Sequence, residues 1–196
     1  MDDRVYGDVM LDIETLGTGI HSLVVSIGAV RFRLDSTDDL DTIRDDARSF
    51  YAVLDTEDQR YRGRVDDPDT LAWWTKQSDE ARQVLTDPSE DTAGALERFS
   101  EFCRGVKRIW GNGNTFDNAI IRDLYRTYEQ DYPVDFWADL DMRTLKYLWN
   151  KLTNWRSKNE PKIRIGEHHN ALDDARSQVL QIQQMYRELK GTKYGA

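Results

Sequence analysis

Asp12 and Glu14 stand two residues apart in Asp12-Ile13-Glu14-Thr15, at the end of an apolar run over 8–13. On a β-strand, residues i and i+2 point to the same face. Met10, Asp12 and Glu14 therefore share one face, and Val9, Leu11 and Ile13 the other. Neighbouring carboxylates repel, and burial without a cation pushes at least one toward protonation. A divalent cation removes that conflict, and hard oxygen ligands suit Mg²⁺ or Mn²⁺. A solvated strand end is the competing reading of these four residues taken alone.

Asp117 closes a second segment, WGNGNTFD over 110–117, which follows an apolar run and opens a helix. Asn114 or Thr115 is placed to cap that helix. Asp117 then falls in its first turn, where the helix dipole favours negative charge. As a site residue it would lie at the C-terminal end of the central sheet, where sites of open α/β sheets gather.

The third segment is His168-His169-Asn170-Ala171-Leu172-Asp173-Asp174-Ala175. Asn170 and Asp173 have nearly capping-box spacing, with Asn170 as N-cap and Asp173 three positions on. Asp174 becomes the fourth helical residue, free to project toward a metal, and His169 falls on the loop before the helix. Inside one helix, their five-residue step would set them about 140° apart; the loop–helix junction lets them converge. His168 reads as a surface residue or as a partner of the acidic site. Jointly the three segments offer four carboxylates, Asp12, Glu14, Asp117 and Asp174. Two divalent ions roughly 3.5–4 Å apart can clamp a phosphodiester and stabilise its attacking and leaving oxygens. His169, neutral near pH 7, would accept the proton of the attacking water.

These residues need a scaffold, and the patterning supplies one. Residues 8–13, 22–33 and 48–54 read as three strands, with Gly28 as a candidate bulge. Asp67-Pro68 opens helices over 69–76, 78–87 (with Ser78 as N-cap) and 91–104. Residues 106–110 read as a fourth strand, 115–128 as a helix, 137–140 as a fifth strand and 142–150 as a helix. Residues 153–167 are polar and irregular, and 171–190 form a long amphipathic helix. This order predicts an α/β fold: a mixed five-stranded sheet, an antiparallel meander plus two parallel strands, flanked by helices.

The chain has 196 residues and a formal net charge of −9, with 39% hydrophobic and 32% charged residues. That charge argues against wide duplex binding through neutralised phosphates, although bound divalent ions invert the local sign. The acidic run over 35–46 reads as a solvated loop. No apolar run approaches the roughly 20 residues of a membrane span. Cys103 is the single cysteine, so no internal disulfide forms, and with no signal-peptide pattern at the N-terminus a cytoplasmic location is expected.

The order DxE, then FD after a glycine-rich turn, then HxAxxDA near the C-terminus resembles the DEDDh 3′–5′ exonucleases, a branch of the RNase H-like superfamily. The resemblance runs from Val9 to about Leu189. The segments VVSIGAVRF, TLAWWTKQSDEAR, WGNGNTFDN and HNALDDA are similar to phage and prophage exodeoxyribonuclease VIII-like enzymes and to RNase AS-like exoribonucleases. The resemblance implies a single exonuclease domain over 1–196, with a core of about 8–190. It implies metal ligands at Asp12, Glu14, Asp117 and Asp174, two Mg²⁺ or Mn²⁺ ions, and a general base at His169. The implied substrate is a single-stranded 3′ end, DNA or RNA, cut to nucleoside 5′-monophosphates, and the implied assembly is a homodimer. Asn112-Gly113 stand where many relatives carry His-Asn. Thr15, Leu16, Trp74, Asn112 and Arg143 are the expected substrate contacts. Trp73 and Trp74, about 100° apart on a helix, cannot both face one cleft. Arg60, Arg62 and Arg64 form a small basic patch on an expected loop. A non-catalytic nucleic-acid-binding module and a structure-specific endonuclease are the rival readings.

Overall fold

The computed structural model describes residues 6–153 and 163–191. Residues 154–162 of the expected irregular segment lie outside it. The chain runs β1 (Asp8–Thr15), β2 (Val24–Phe32), α1 (Leu40–Ile43), β3 (Ser49–Val53), α2 (Thr56–Tyr61), α3 (Pro68–Trp74) and α4 (Asp79–Arg82). It continues α5 (Thr92–Phe102), β4 (Arg108–Gly111), α6 (Asp117–Thr127), β5 (Asp139–Asp141), α7 (Met142–Leu152) and α8 (Ala171–Lys190). The sheet order is β3-β2-β1-β4-β5. β1–β2 and β2–β3 pair antiparallel, β1–β4 and β4–β5 parallel. The mixed five-stranded architecture is the expected one.

β1 lies at the centre, and its two faces build two cores. Val9, Leu11 and Ile13 pack with Leu96 and Phe99 of α5 and Ile120 and Leu124 of α6. On the other face, Met10 joins Trp110, Trp149 of α7 and Ala175, Val179 and Ile182 of α8. The alternation of β1 thus fixes which face Asp12 and Glu14 share: the one that carries α8. No helix among the described residues is long and apolar enough to cross a membrane.

Several local expectations need correction. Gly28 is no bulge; it pairs in register with Asp12, and the irregularity falls between Glu14 and Thr15. A Cβ on Gly28 would lie 2.1 Å from the Ala171 carbonyl carbon. The glycine instead lets the first turn of α8 rest on the sheet beside Asp12. Residues 137–140 are not one strand: Trp137 sits exposed in a 3₁₀ turn, and β5 starts at Asp139. The acidic run holds α1, capped by Asp39, with Ile43 buried beneath it. Within that run Asp38 accepts from the buried Arg48 at 2.8 Å and from Gln183 at 2.9 Å. Nor do Arg60, Arg62 and Arg64 form a free basic patch. Arg64 is buried against Asp123, Arg60 pairs with Asp66, and Arg62 pairs with Asp58. Local charge pairing, invisible to composition, accounts for both differences.

Candidate active site

The C-terminal end of β1 projects Asp12 and Glu14 into a cleft of about 430 Å³. Asn112, Asp117, Arg143, His169 and Asp174 line the same cleft, so residues distant in sequence converge as the three segments required. One oxygen each from Asp12, Glu14 and Asp174 lie within 4.8 Å of one another. Asp117 enters from the first residue of α6. Neither Asn114 nor Thr115 caps that helix: Phe116 occupies the N-cap and gives no side-chain bond. The preceding turn is held otherwise. Asn114 N–H donates to Asp141 at 3.2 Å, and Gly113, at φ 122°, passes so close to the Arg143 guanidinium that a Cβ would lie 2.9 Å from it.

Asn170 caps α8 as expected, accepting from the Leu172 and Asp173 N–H groups at 3.1 Å. Asp173 does not close a capping box. It accepts from the Glu167 N–H at 3.1 Å, against the tight turn at Gly166, and pairs with Arg176. Asp174 instead faces the cleft. It accepts from the His169 N–H at 3.0 Å and pairs with Arg164. His169 has φ 67°, a left-handed conformation uncommon outside glycine though less so for histidine. That turn presents its imidazole to the cleft. The ring meets Trp73 edge-on at 4.7 Å and the exposed His168 at 3.8 Å.

The electrostatics are those of a crowded acidic site. Burial, then Asp117, Glu14 and Asp174, holds Asp12 well above the usual carboxylate range, against the lowering effect of the Gln178 hydrogen bond. Burial, followed by Asp174 and Asp117, pushes Glu14 up to about 8. Burial also raises Asp117 to about 7, opposed by backbone N–H groups and Arg143. Charged carboxylates this close without enough cations are unfavourable, and neutralisation by divalent metal is the chemical remedy. The donor set is all hard oxygen with one imidazole beside it, which fits Mg²⁺ or Mn²⁺. Burial and His168 lower the His169 pKa, so its imidazole is neutral at neutral pH and able to accept a proton.

A second depression of about 530 Å³ adjoins the first and shares Ile13, Glu14 and Phe116 with it. Thr15 and Trp73 line its wall. The tryptophan choice is reversed from the expectation. Trp74 is 2% exposed, its indole N–H donating to the Thr15 carbonyl at 2.9 Å, whereas Trp73 is 39% exposed and borders the cleft. Leu16 also turns inward, packing with Leu23, Val25 and Trp74. Sequence reasoning missed Gln178 and Arg164, which line the carboxylate cleft. Gln178 follows Asp174 by four residues, one helical turn, a spacing that puts both on one face. Arg164 lies in irregular chain with no such signal.

Comparisons with known proteins show the family and the fold. A family model described as "3'-5' exoribonuclease Rv2179c-like domain" matches residues 7–186. The exodeoxyribonuclease of enterobacteria phage T4 is 26% identical over 161 residues, covering 70% of this chain and 69% of that protein. The Mg²⁺- and Mn²⁺-bound structure of S. pombe Pop2p superposes with a TM-score of 0.58 at 14% identity, covering 97% of this chain and 86% of that one. The nuclease domain of 3'hExo, a DEDDh family member bound to rAMP, gives 0.60 at 11% identity, covering 96% and 94%.

Proposed function

From the premise that this chain belongs to the 3'-5' exoribonuclease Rv2179c-like family, we propose that it acts as a DEDDh-type exonuclease and removes nucleotides from single-stranded 3′ ends, releasing nucleoside 5′-monophosphates. The observation that carries the reading is the meeting of Asp12, Glu14, Asp117 and Asp174 in one cleft with a neutral His169 at its rim. In this proposal the four carboxylates hold two divalent ions, Mg²⁺ or Mn²⁺, which supply charge neutralisation and Lewis acidity at the phosphodiester. His169 takes the proton of the attacking water at its imidazole nitrogen. The left-handed backbone and the Asp174 contact at its N–H keep that ring at the cleft mouth. Trp73 and Phe116 flank the adjoining depression and offer flat surfaces to a terminal base, with Thr15 beside them. Arg143, beside Asp117, is the candidate contact for a non-bridging phosphate oxygen. The catalytic unit is the whole chain, with its core at about 8–190, working as a homodimer.

A 3′-labelled single strand incubated with Mn²⁺ should release mononucleotides, and a closed circular strand should stay intact. Undiminished degradation by Asp12→Ala would overturn the proposal. Cutting of the circle would move the activity to the endonuclease class. Tight strand binding in EDTA, with no turnover in metal, would favour the non-catalytic binding module. The family description names an exoribonuclease and the phage relative an exodeoxyribonuclease; matched DNA and RNA oligonucleotides read the sugar preference directly. Sedimentation measures the assembly.

A further inference from the structure

Gln178 is buried on α8, 7% exposed, one turn beyond Asp174. Its Nε2 donates to Asp12 Oδ1 at 2.7 Å. With a cation bound Asp12 would be ionised and could only accept, which is the role this amide orientation gives it. That leaves Gln178 Oε1 as a buried acceptor in the carboxylate cleft, and it has no hydrogen-bond partner among the described residues. Buried polar groups are ordinarily satisfied, and an orphan at a functional site points to a missing donor. The carboxylates around it are acceptors when ionised and cannot supply one. A water carried by a divalent cation can, because the cation polarises its O–H bonds.

We propose that Gln178 is a positioning residue of the metal site: its amide nitrogen fixes the Asp12 carboxylate, and its amide oxygen accepts from a water bound to the cation that Asp12 holds. The inference rests on the metal-dependent reading above and adds a residue outside the carboxylate–histidine set. Partners of this outer shell set ligand orientation, and their loss typically costs about 10–100-fold in metal affinity or activity. A residue that only packed α8 onto the sheet would have no such effect.

The test is Mn²⁺ binding to the full chain without substrate, followed by calorimetry and by the electron paramagnetic resonance signal of free Mn²⁺. Gln178→Met keeps the volume and removes both hydrogen bonds. Its Mn²⁺ dissociation constant should rise about 10–100-fold, while the metal-free melting temperature stays at or above that of the wild type. The metal concentration for half-maximal turnover should move with the dissociation constant, and KM for the oligonucleotide should not. Gln178→Asn, which retracts the amide by one methylene, should weaken Mn²⁺ in the same direction and serves if the methionine variant fails to fold. Gln183→Met, on the same helix but holding Arg33 and Asp38, should melt earlier and keep wild-type Mn²⁺ affinity. Wild-type Mn²⁺ affinity in Gln178→Met or Gln178→Asn overturns the inference. So does an affinity loss that only accompanies a matching loss of metal-free stability. If the wild type itself binds no Mn²⁺, or Asp12→Ala keeps full turnover, the metal reading falls, and Gln178 with it.

Discussion

Two regions of this molecule bury aspartate, and they treat it oppositely. At the corner between β2, α1 and α8, Asp38 is met by the buried Arg48, by Gln183 and by Ser36. Burial alone would raise its pKa, but those hydrogen bonds and the guanidinium win, and it lies below the usual range. In the cleft, Asp12, Glu14 and Asp117 face one another and Asp174, and all three are raised. The first arrangement is complete within the chain and serves the fold. The second is left short of positive charge, and that shortfall is what a divalent cation would fill. Internal satisfaction separates a structural carboxylate from a reactive one.

Substitutions should separate the two regions cleanly. The largest expected effect is on turnover. Asp12→Asn should lower nuclease activity by about 10³-fold or more, since several kcal/mol of transition-state charge stabilisation is at stake. Its metal-free melting temperature should hold or rise, because an acid buried among other acids is replaced by a neutral amide. A single-turnover assay beside a thermal melt checks both; a collapse of the melt would place Asp12 with the structural carboxylates. Arg48→Met should do the reverse. Leaving Asp38 buried and unpaired costs about 3–5 kcal/mol, read by denaturant unfolding, while turnover per folded molecule is retained.

Trp73→Ala should raise KM for a single strand by roughly 5–150-fold, the equivalent of about 1–3 kcal/mol for one stacked base, without lowering stability. Trp74→Ala, in the adjacent core position, should instead destabilise the protein, and swapped outcomes would return Trp74 to the substrate side. The smallest effect is on pH dependence. Glu14 is raised from 4.5 to about 8, so its contribution to stability is full below its ordinary value and is lost as pH rises through 8. Asp38 is lowered, so its contribution is present above its ordinary value of 3.8 and is lost only as pH falls below it. Melting in EDTA should therefore decline from pH 6 to pH 9, and saturating Mn²⁺ should flatten that decline. A slope unchanged by metal would break the contrast.

Much of this was legible in the residues themselves. The alternation of β1 sorted Asp12 and Glu14 from Val9, Leu11 and Ile13, because side-chain direction along a strand follows a period of two. Asn170 announced the start of α8, because a short side chain before an apolar helical period is a cap. The strand and helix order gave the sheet its antiparallel and parallel halves. Asp174 rather than Asp173 lines the cleft, and Asp173 turns to the Glu167 N–H rather than closing the capping box.

Tertiary structure alone decided which tryptophan is core. Two neighbours on a helix look alike in sequence, and only the packing of α3 against Leu16, Leu23 and Val25 buried Trp74 and left Trp73 at the cleft. It alone paired Arg64 with Asp123 and Arg48 with Asp38, because ion pairs across 59 and 10 residues leave no local periodicity. It alone gave Gly28 its meaning, as the place where α8 comes down on the sheet beside Asp12. And it set Gln178 against Asp12 across 166 residues. Local patterning fixes which way a side chain points; long-range packing fixes what it meets there. The charge balance of the cleft depends on the second.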